Sequence, residues 1–283
     1  MNLSVARHAT DVDLAWRQIE ALSPQVSYLL DAVASNSAAL HDLRRRELTL
    51  AQYRCVVDPD AADPDTCDDL DLAAQAATAV FIDATVSAGR EAQAPVGRVL
   101  RFTATGHNED AHGGIWLTAT WLAIVLRDDT LIRQLVSVPL DTMRDADNGD
   151  HDSYLYPWVE TLQTFLDHRP VPPELFTAVM DGTDPDTARF TPPDAMLRLV
   201  FPPIKLFYYI LRHDSEKFAA GLSDALEQHR AYWTAADRAD APDGFLALAP
   251  LAMAVLARSV GMTFDVTSPY LPTGLLLGSR PVR

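Results

Sequence analysis

Apolar residues recur along this chain mainly at intervals of three and four, the period of helices that bury one face. The clearest case is LYPWVETLQTFL, where Leu155, Trp158, Val159, Leu162, Phe165 and Leu166 share one stripe. Between Asp11 and Arg46 the stripe Leu14, Ile19, Leu22, Val26, Leu29, Leu30, Val33 and Leu40 is interrupted by Ser23-Pro24, which predicts two helices meeting there. Arg44, Arg45 and Arg46 would then close the second helix, where cations suit the negative end of the dipole. A stripe of Leu70, Ala73, Ala77, Val80, Phe81 and Ala84 predicts a helix over about 68–88. The aspartate- and proline-rich loop from Asp58 to Asp71 leads into it and supplies N-terminal caps. Phe218, Leu222, Ala225, Leu226, His229, Tyr232 and Trp233 form one more stripe, on which His229 is expected to be a satisfied core histidine.

Two runs are apolar all round, IWLTATWLAIVL and the stretch from Phe245 to Ala257. Such helices must be buried, and both fall short of the roughly 20 residues a bilayer span requires. In LRLVFPPIKLFYYILRH, Pro202-Pro203 is expected to kink or divide a buried helix pair. The only strand candidates are residues 96–105 and 263–268, expected to pair with each other as a small hairpin-like sheet. Short Pro/Asp turns join the helices, and no convincing repeat or low-complexity linker divides the chain. The expectation is a mainly α fold: a single irregular multi-helix domain over residues 1–283, an array of helical hairpins with at most a small β-hairpin or two short strands, and with the N-terminal helices (11–46) packed on it.

Charge narrows the partners. Against 23 Lys and Arg stand 39 Asp and Glu, a formal charge of −16. Most of that surface would repel a phosphate backbone, so direct nucleic-acid binding is not expected, whereas a basic protein is attracted to it. The same surface also serves solubility. Cys55 and Cys67 are too few for a four-thiolate metal site and do not form a CxxC motif; a disulfide between them stays open. The first residues lack the apolar core of a signal peptide and no segment reaches membrane-spanning length, which makes the cytoplasm the default location.

Candidate chemistry is sparse. His107, Glu109, Asp110 and His112 place two imidazoles and two carboxylates within six residues, the donor types of a metal-dependent hydrolase. The spacing is not HExxH, however, and i, i+5 does not put both histidines on one helical face, so a solvated loop or helix cap is the plainer expectation. Asp145-Ala146-Asp147-Asn148-Gly149-Asp150 has its glycine at the fifth place and lacks the closing Glu of a calcium loop. There is no GxSxG, no GxxxxGK[ST] and no GxGxxG. No catalytic residue, metal or cofactor is therefore assigned, and the chain is not read as an enzyme.

The tail GFLALAPLAMAVLARSVGMTFDVTSPYLPTGLLL resembles the C-terminal signature of the immunity protein 49 family. The segments WLAIVLRDD, WVETLQTFL, GTDPD, PPIKLFYYILRHD and LEQHRAYW follow in the order that family shows, so the resemblance runs from about Ala73 to Gly278. The resemblance implies a cytoplasmic immunity protein of a bacterial polymorphic-toxin system, which binds and neutralises a cognate toxin in interbacterial competition. It brings no catalytic residues and does not identify the toxin. The acidic charge makes a basic toxin, a nuclease or deaminase, the leading partner, and it makes the aspartate-rich loops the candidate contacts: Asp58, Asp60, Asp63, Asp65, Asp68 and Asp69 in the first, Asp145, Asp147, Asp150 and Asp152 in the second. The alternatives are the metal-dependent hydrolase above, or a helical scaffold without a toxin partner. Oligomeric state is not legible in the sequence.

Overall fold

A computed structural model describes residues 3–279. Helix α1 (Val12–Leu22) is capped by Asp11, whose carboxylate accepts the Leu14 N–H at 2.9 Å. One 3-10 turn at Ser23–Gln25 carries the chain into α2 (Val26–Ser35), so the break at Ser23-Pro24 falls where the pattern placed it. The second expected helix is in fact two. Asn36 adopts an extended conformation and its side chain accepts from the Ala38 N–H at 3.1 Å, ending α2 and starting α3 (Ala39–Val57). Arg44, Arg45 and Arg46 consequently sit inside α3, where the dipole explanation does not apply. Their polarity masked the continuation of the core face through Leu40, Leu43, Leu50, Ala51 and Cys55.

Helix α4 (Pro64–Thr85) begins earlier than the stripe suggested. Asp63 caps it by accepting the Asp65 N–H at 2.9 Å, and Pro64 occupies the first turn, where its missing N–H costs nothing. Half of the expected loop is thus the first turns of a helix. The packing of α3 against α4 is the most extensive between any two elements. Cys55 and Cys67 are both buried and are not joined by a disulfide, and burial pushes the Cys55 thiol up to about 12.

The expected pairing of 96–105 with 263–268 does not occur. Strand β2 (Glu91–Val96) pairs antiparallel with β3 (Arg98–Thr103) through Gly97, which turns the chain at φ +64°. EAQAPV has few β-branched residues, but it alternates exposed and buried positions and lays Ala92, Ala94 and Val96 against the core. The other strand, β4 (Val266–Thr267), pairs parallel with β1 (Leu3–Ser4). Just beyond β1, Arg7 donates to the carbonyls of Cys55, at 2.6 Å, and of Pro269. Buried His8 donates from Nε2 to the Ala239 carbonyl at 3.1 Å and accepts the Tyr270 hydroxyl at Nδ1, at 2.7 Å.

Helices α5 (Gly113–Leu126), α6 (Asp129–Val136), α7 (Leu140–Asp145) and α8 (Leu155–Leu166) follow, then α9 (Pro173–Asp181) and the single turn α10 (Pro193–Ala195). A π-helical stretch, Met196–Val200, leads from α10 into α11 (Phe201–Leu211). Pro202 and Pro203 open α11 without breaking its hydrogen bonds, while the wide turn ahead of them absorbs the mismatch. The chain ends with α12 (Ser215–Trp233), α13 (Leu248–Ser259) and α14 (Thr273–Leu277).

Helix α13 is buried from Pro250 to Ala257 and is packed by α5, α11, α12 and α14, the central position expected of an all-apolar helix. Around it one large core draws residues from Val5 to Leu276, while a smaller cluster of Ala15, Ile19, Tyr53, Val56 and Phe245 seats α1. His229 is the satisfied core histidine its stripe suggested: Nε2 donates to the Gly244 carbonyl at 3.0 Å, and burial drives its pKa down to about 4. Among the described residues no helix is long and apolar enough to cross a membrane.

Candidate functional site

Helix α3 separates the two aspartate-rich loops. Asp58 ends it, whereas His41 and Arg44, near its start, meet the segment that precedes α5. At 1.5 Å per residue the two regions lie roughly 25 Å apart. The loops therefore form two separate acidic sites.

In the first, much of the charge is already engaged. Asp58 accepts the Asp63 N–H at 2.7 Å. Arg54 pairs with Asp65 at 3.3 Å and with Asp69 at 2.6 Å, and burial lifts Asp69 to about 6 in spite of that partner. The Asp60 carbonyl accepts the Gly274 N–H at 2.8 Å, docking the loop on α14. A side chain at Gly274 would meet that carbonyl, which is why only glycine fits there. Asp60, Asp63 and Asp68 are the members that face solvent.

The second site is built by three segments. Buried Asp83 of α4 accepts the Thr105 N–H at 3.0 Å, the Thr105 hydroxyl at 2.6 Å and the Asn108 amide at 2.9 Å, fixing the chain as it leaves β3. Gly106 makes this turn at φ +70°, and a Cβ there would lie 2.6 Å from the Ala88 nitrogen. Asn108 then accepts the Asp110 N–H at 2.9 Å, which aims Asp110 at α3. His41 donates to the Asp110 carboxylate at 2.8 Å and Arg44 at 3.2 Å. His112 caps α5, its Nδ1 accepting the Gly114 N–H at 3.2 Å. The cap reading of the His107–His112 cluster is the one the fold realises.

The third segment is the connection from α7 to α8. Asp147 accepts the Gly149 N–H at 2.8 Å, His151 Nδ1–H at 2.9 Å and the Tyr156 hydroxyl at 2.7 Å. Burial alone would raise its pKa; these donors outweigh it and hold the carboxylate at about 2. The His151 ring lies 4.8 Å from that of His112, tilted by 39°. Burial, and after it the neighbouring His151, keeps His112 below the usual histidine range. Asp145 and Asp150 are exposed. Asp152 is buried: its carboxylate accepts the backbone N–H groups of Arg189, Phe190 and Thr191 at 2.6, 3.1 and 2.8 Å. It anchors another loop and does not face a partner.

Between these segments lies an open cavity of about 410 Å³, lined by His41, Glu109, Asp110, His112, Asp147 and His151 together with the turn Asn148–Asp150. The fold thus joins two features that looked independent in sequence, the His107–His112 cluster and the Asp145–Asp152 loop. His107 stays outside, exposed. His41 and His151 were not singled out by sequence. Neither sits in a motif, and only the tertiary fold brings α3 to the α7–α8 connection.

The donor set does not suit a metal. Among the described residues no three His, Cys, Asp or Glu side chains converge as ligands. The Gly114 N–H, by occupying Nδ1 of His112, fixes the proton on Nε2, so neither ring nitrogen offers a free lone pair.

A family model described as Immunity protein 49 matches residues 58–275. No curated protein and no solved structure matches the chain. The matched span contains both acidic loops and the whole cavity except its α3 wall.

Proposed function

Since the chain belongs to the immunity protein 49 family, we propose that it binds a cognate bacterial toxin stoichiometrically and neutralises it through its acidic surface, and that this toxin acts on nucleic acid as a nuclease or deaminase. Family membership carries the neutralising role. The observation that carries the choice of toxin is the net charge of −16, together with carboxylates that stay exposed at two separate sites. Enzymes of nucleic acids gather cations where phosphate binds, and an anionic inhibitor accelerates encounter with such a cleft. Within the acidic loops, the exposed members are Asp60, Asp63 and Asp68 at one site and Asp145 and Asp150 at the other. Asp152 and Asp147 shape the second site from within. The protein works in this reading as a single cytoplasmic unit, and the large core that draws residues from Val5 to Leu276 supports the single unit.

The test is co-expression with a candidate toxin domain, taken from the C-terminus of any large secreted protein whose reading frame adjoins this one, scored for rescue of growth and for co-purification. Rescue with a stoichiometric complex is expected. Replacing Asp145 and Asp150 by lysine, or separately Asp60, Asp63 and Asp68, should slow association and flatten its salt dependence at whichever site is the interface. Rescue without co-purification would overturn direct inhibition.

A further inference from the structure

We propose that the cavity between α3, the β3–α5 connection and the α7–α8 connection is a receptor for one arginine side chain of the bound toxin. The inference rests on the toxin-binding reading and gives that contact its chemistry.

The lining is rich in acceptors and poor in cations. Glu109, Asp110, Asp147 and Asp150 bring four carboxylates to the cavity, while Arg44 lies against Asp110 alone. Glu109 and Asp150 are exposed and have neither an ion pair nor a hydrogen bond among the described residues. Asp147 gives its proton up readily, being held anionic by Gly149, His151 and Tyr156. The cavity therefore asks for a donor-only cation.

Two features select guanidinium. The cavity brings carboxylates from two segments to one space, Glu109 and Asp110 from one and Asp147 and Asp150 from the other, and the planar N–H fork of a guanidinium can bridge such a set, whereas an ammonium offers only a point charge. A volume of about 410 Å³ admits a long side chain with its stem. A metal ion is disfavoured by the proton on His112 Nε2. The walls are also placed before any partner arrives. Asp83 holds the Thr105–Asn108 turn and Asp152 holds the far side of the α7–α8 connection, so little conformational freedom remains to be lost on binding.

The probe is N-methylguanidinium chloride, titrated into the full chain at constant ionic strength and followed by ring signals of the histidines. Saturable shifts of His112 and His151 are expected, with exposed His168 and His213 unmoved, a weaker response to methylammonium, and none to sodium. The double variant Glu109→Gln, Asp150→Asn, at two exposed positions without partners, should keep the fold and lose about tenfold in affinity for the probe. Equal shifts at every histidine, or an unchanged response in the double variant, overturn the proposal. Against the toxin domain that co-purifies with the wild type, the same variant should weaken the complex by at least about tenfold. A complex of unchanged affinity refutes the arginine receptor and leaves toxin binding standing. If the wild type captures no toxin domain, the broader reading fails, and with it the toxin as the source of the arginine.

Discussion

Glu47 makes a quantitative prediction possible. It lies in the middle of α3, 1% exposed, with Oε1 unpartnered among the described residues. Burial, and after it the nearby Asp69 carboxylate, raises its pKa from 4.5 to about 8, against the opposing pull of Arg54 and Arg46. Below pH 4.5 both folded and unfolded chains hold the proton, and Glu47 imposes no ionic penalty. Between 4.5 and about 8 the unfolded chain ionises while the folded one does not, so stability falls as pH rises, by about 1.4 kcal/mol per unit. Above about 8 the loss is complete. The cost is about 3 kcal/mol at pH 7 and about 5 kcal/mol at the plateau, both as orders of magnitude. Glu47→Gln keeps the shape and removes the ionisation. Urea unfolding of both proteins at pH 5, 6, 7 and 8 should show the variant gaining on the wild type with each step, by about 1.4 kcal/mol. Stability curves that run parallel across that range would refute the buried, proton-holding Glu47.

Two further substitutions test the scaffold. Asp83→Ala strips the acceptor from Thr105 and Asn108 and should cost about 2–4 kcal/mol in chemical unfolding, with accelerated exchange of the Thr105 amide; wild-type exchange there would dismiss Asp83 as the anchor of the second acidic site. Ala254→Asp places a charge at a fully buried position of α13 and should unfold the whole chain, seen as loss of the cooperative circular-dichroism transition; a folded variant that merely fails to bind toxin would contradict a purely structural α13.

Periodicity alone identified α8 to the residue and placed α13 at the centre, because each carries one uninterrupted physical signal: a clean apolar stripe in the first, an apolar surface on every side in the second. Where signals overlapped, boundaries were lost. Arg44–Arg46 and Glu47 interrupt the apolar rhythm of α3 although Leu43 and Leu50 continue it, and the aspartates that crowd the start of α4 look like loop as readily as first turn. The strand pairings were illegible for another reason. A ladder of two residues, such as Leu3 with Val266, has no local pattern strong enough to name its partner. Half of the second acidic site could be read, since Glu109, Asp110 and Asp147 stand out in acidic clusters. The rest depended on which helix runs past them: His41 is one histidine among eight until α3 brings it to Asp110.

The β1–β4 pair and the clasp around His8 have a consequence for biosynthesis. These contacts join positions about 262 residues apart in the chain. The partners of Leu3 and His8, Val266 and Tyr270, leave the ribosome long after them, so Val5 and His8 wait outside their final positions until those residues have emerged. Closing so long a loop carries a high entropic threshold, which places the clasp among the last native contacts to form. The interval between synthesis of α1 and of Tyr270 is thus a minimum delay before any new copy reaches its finished fold.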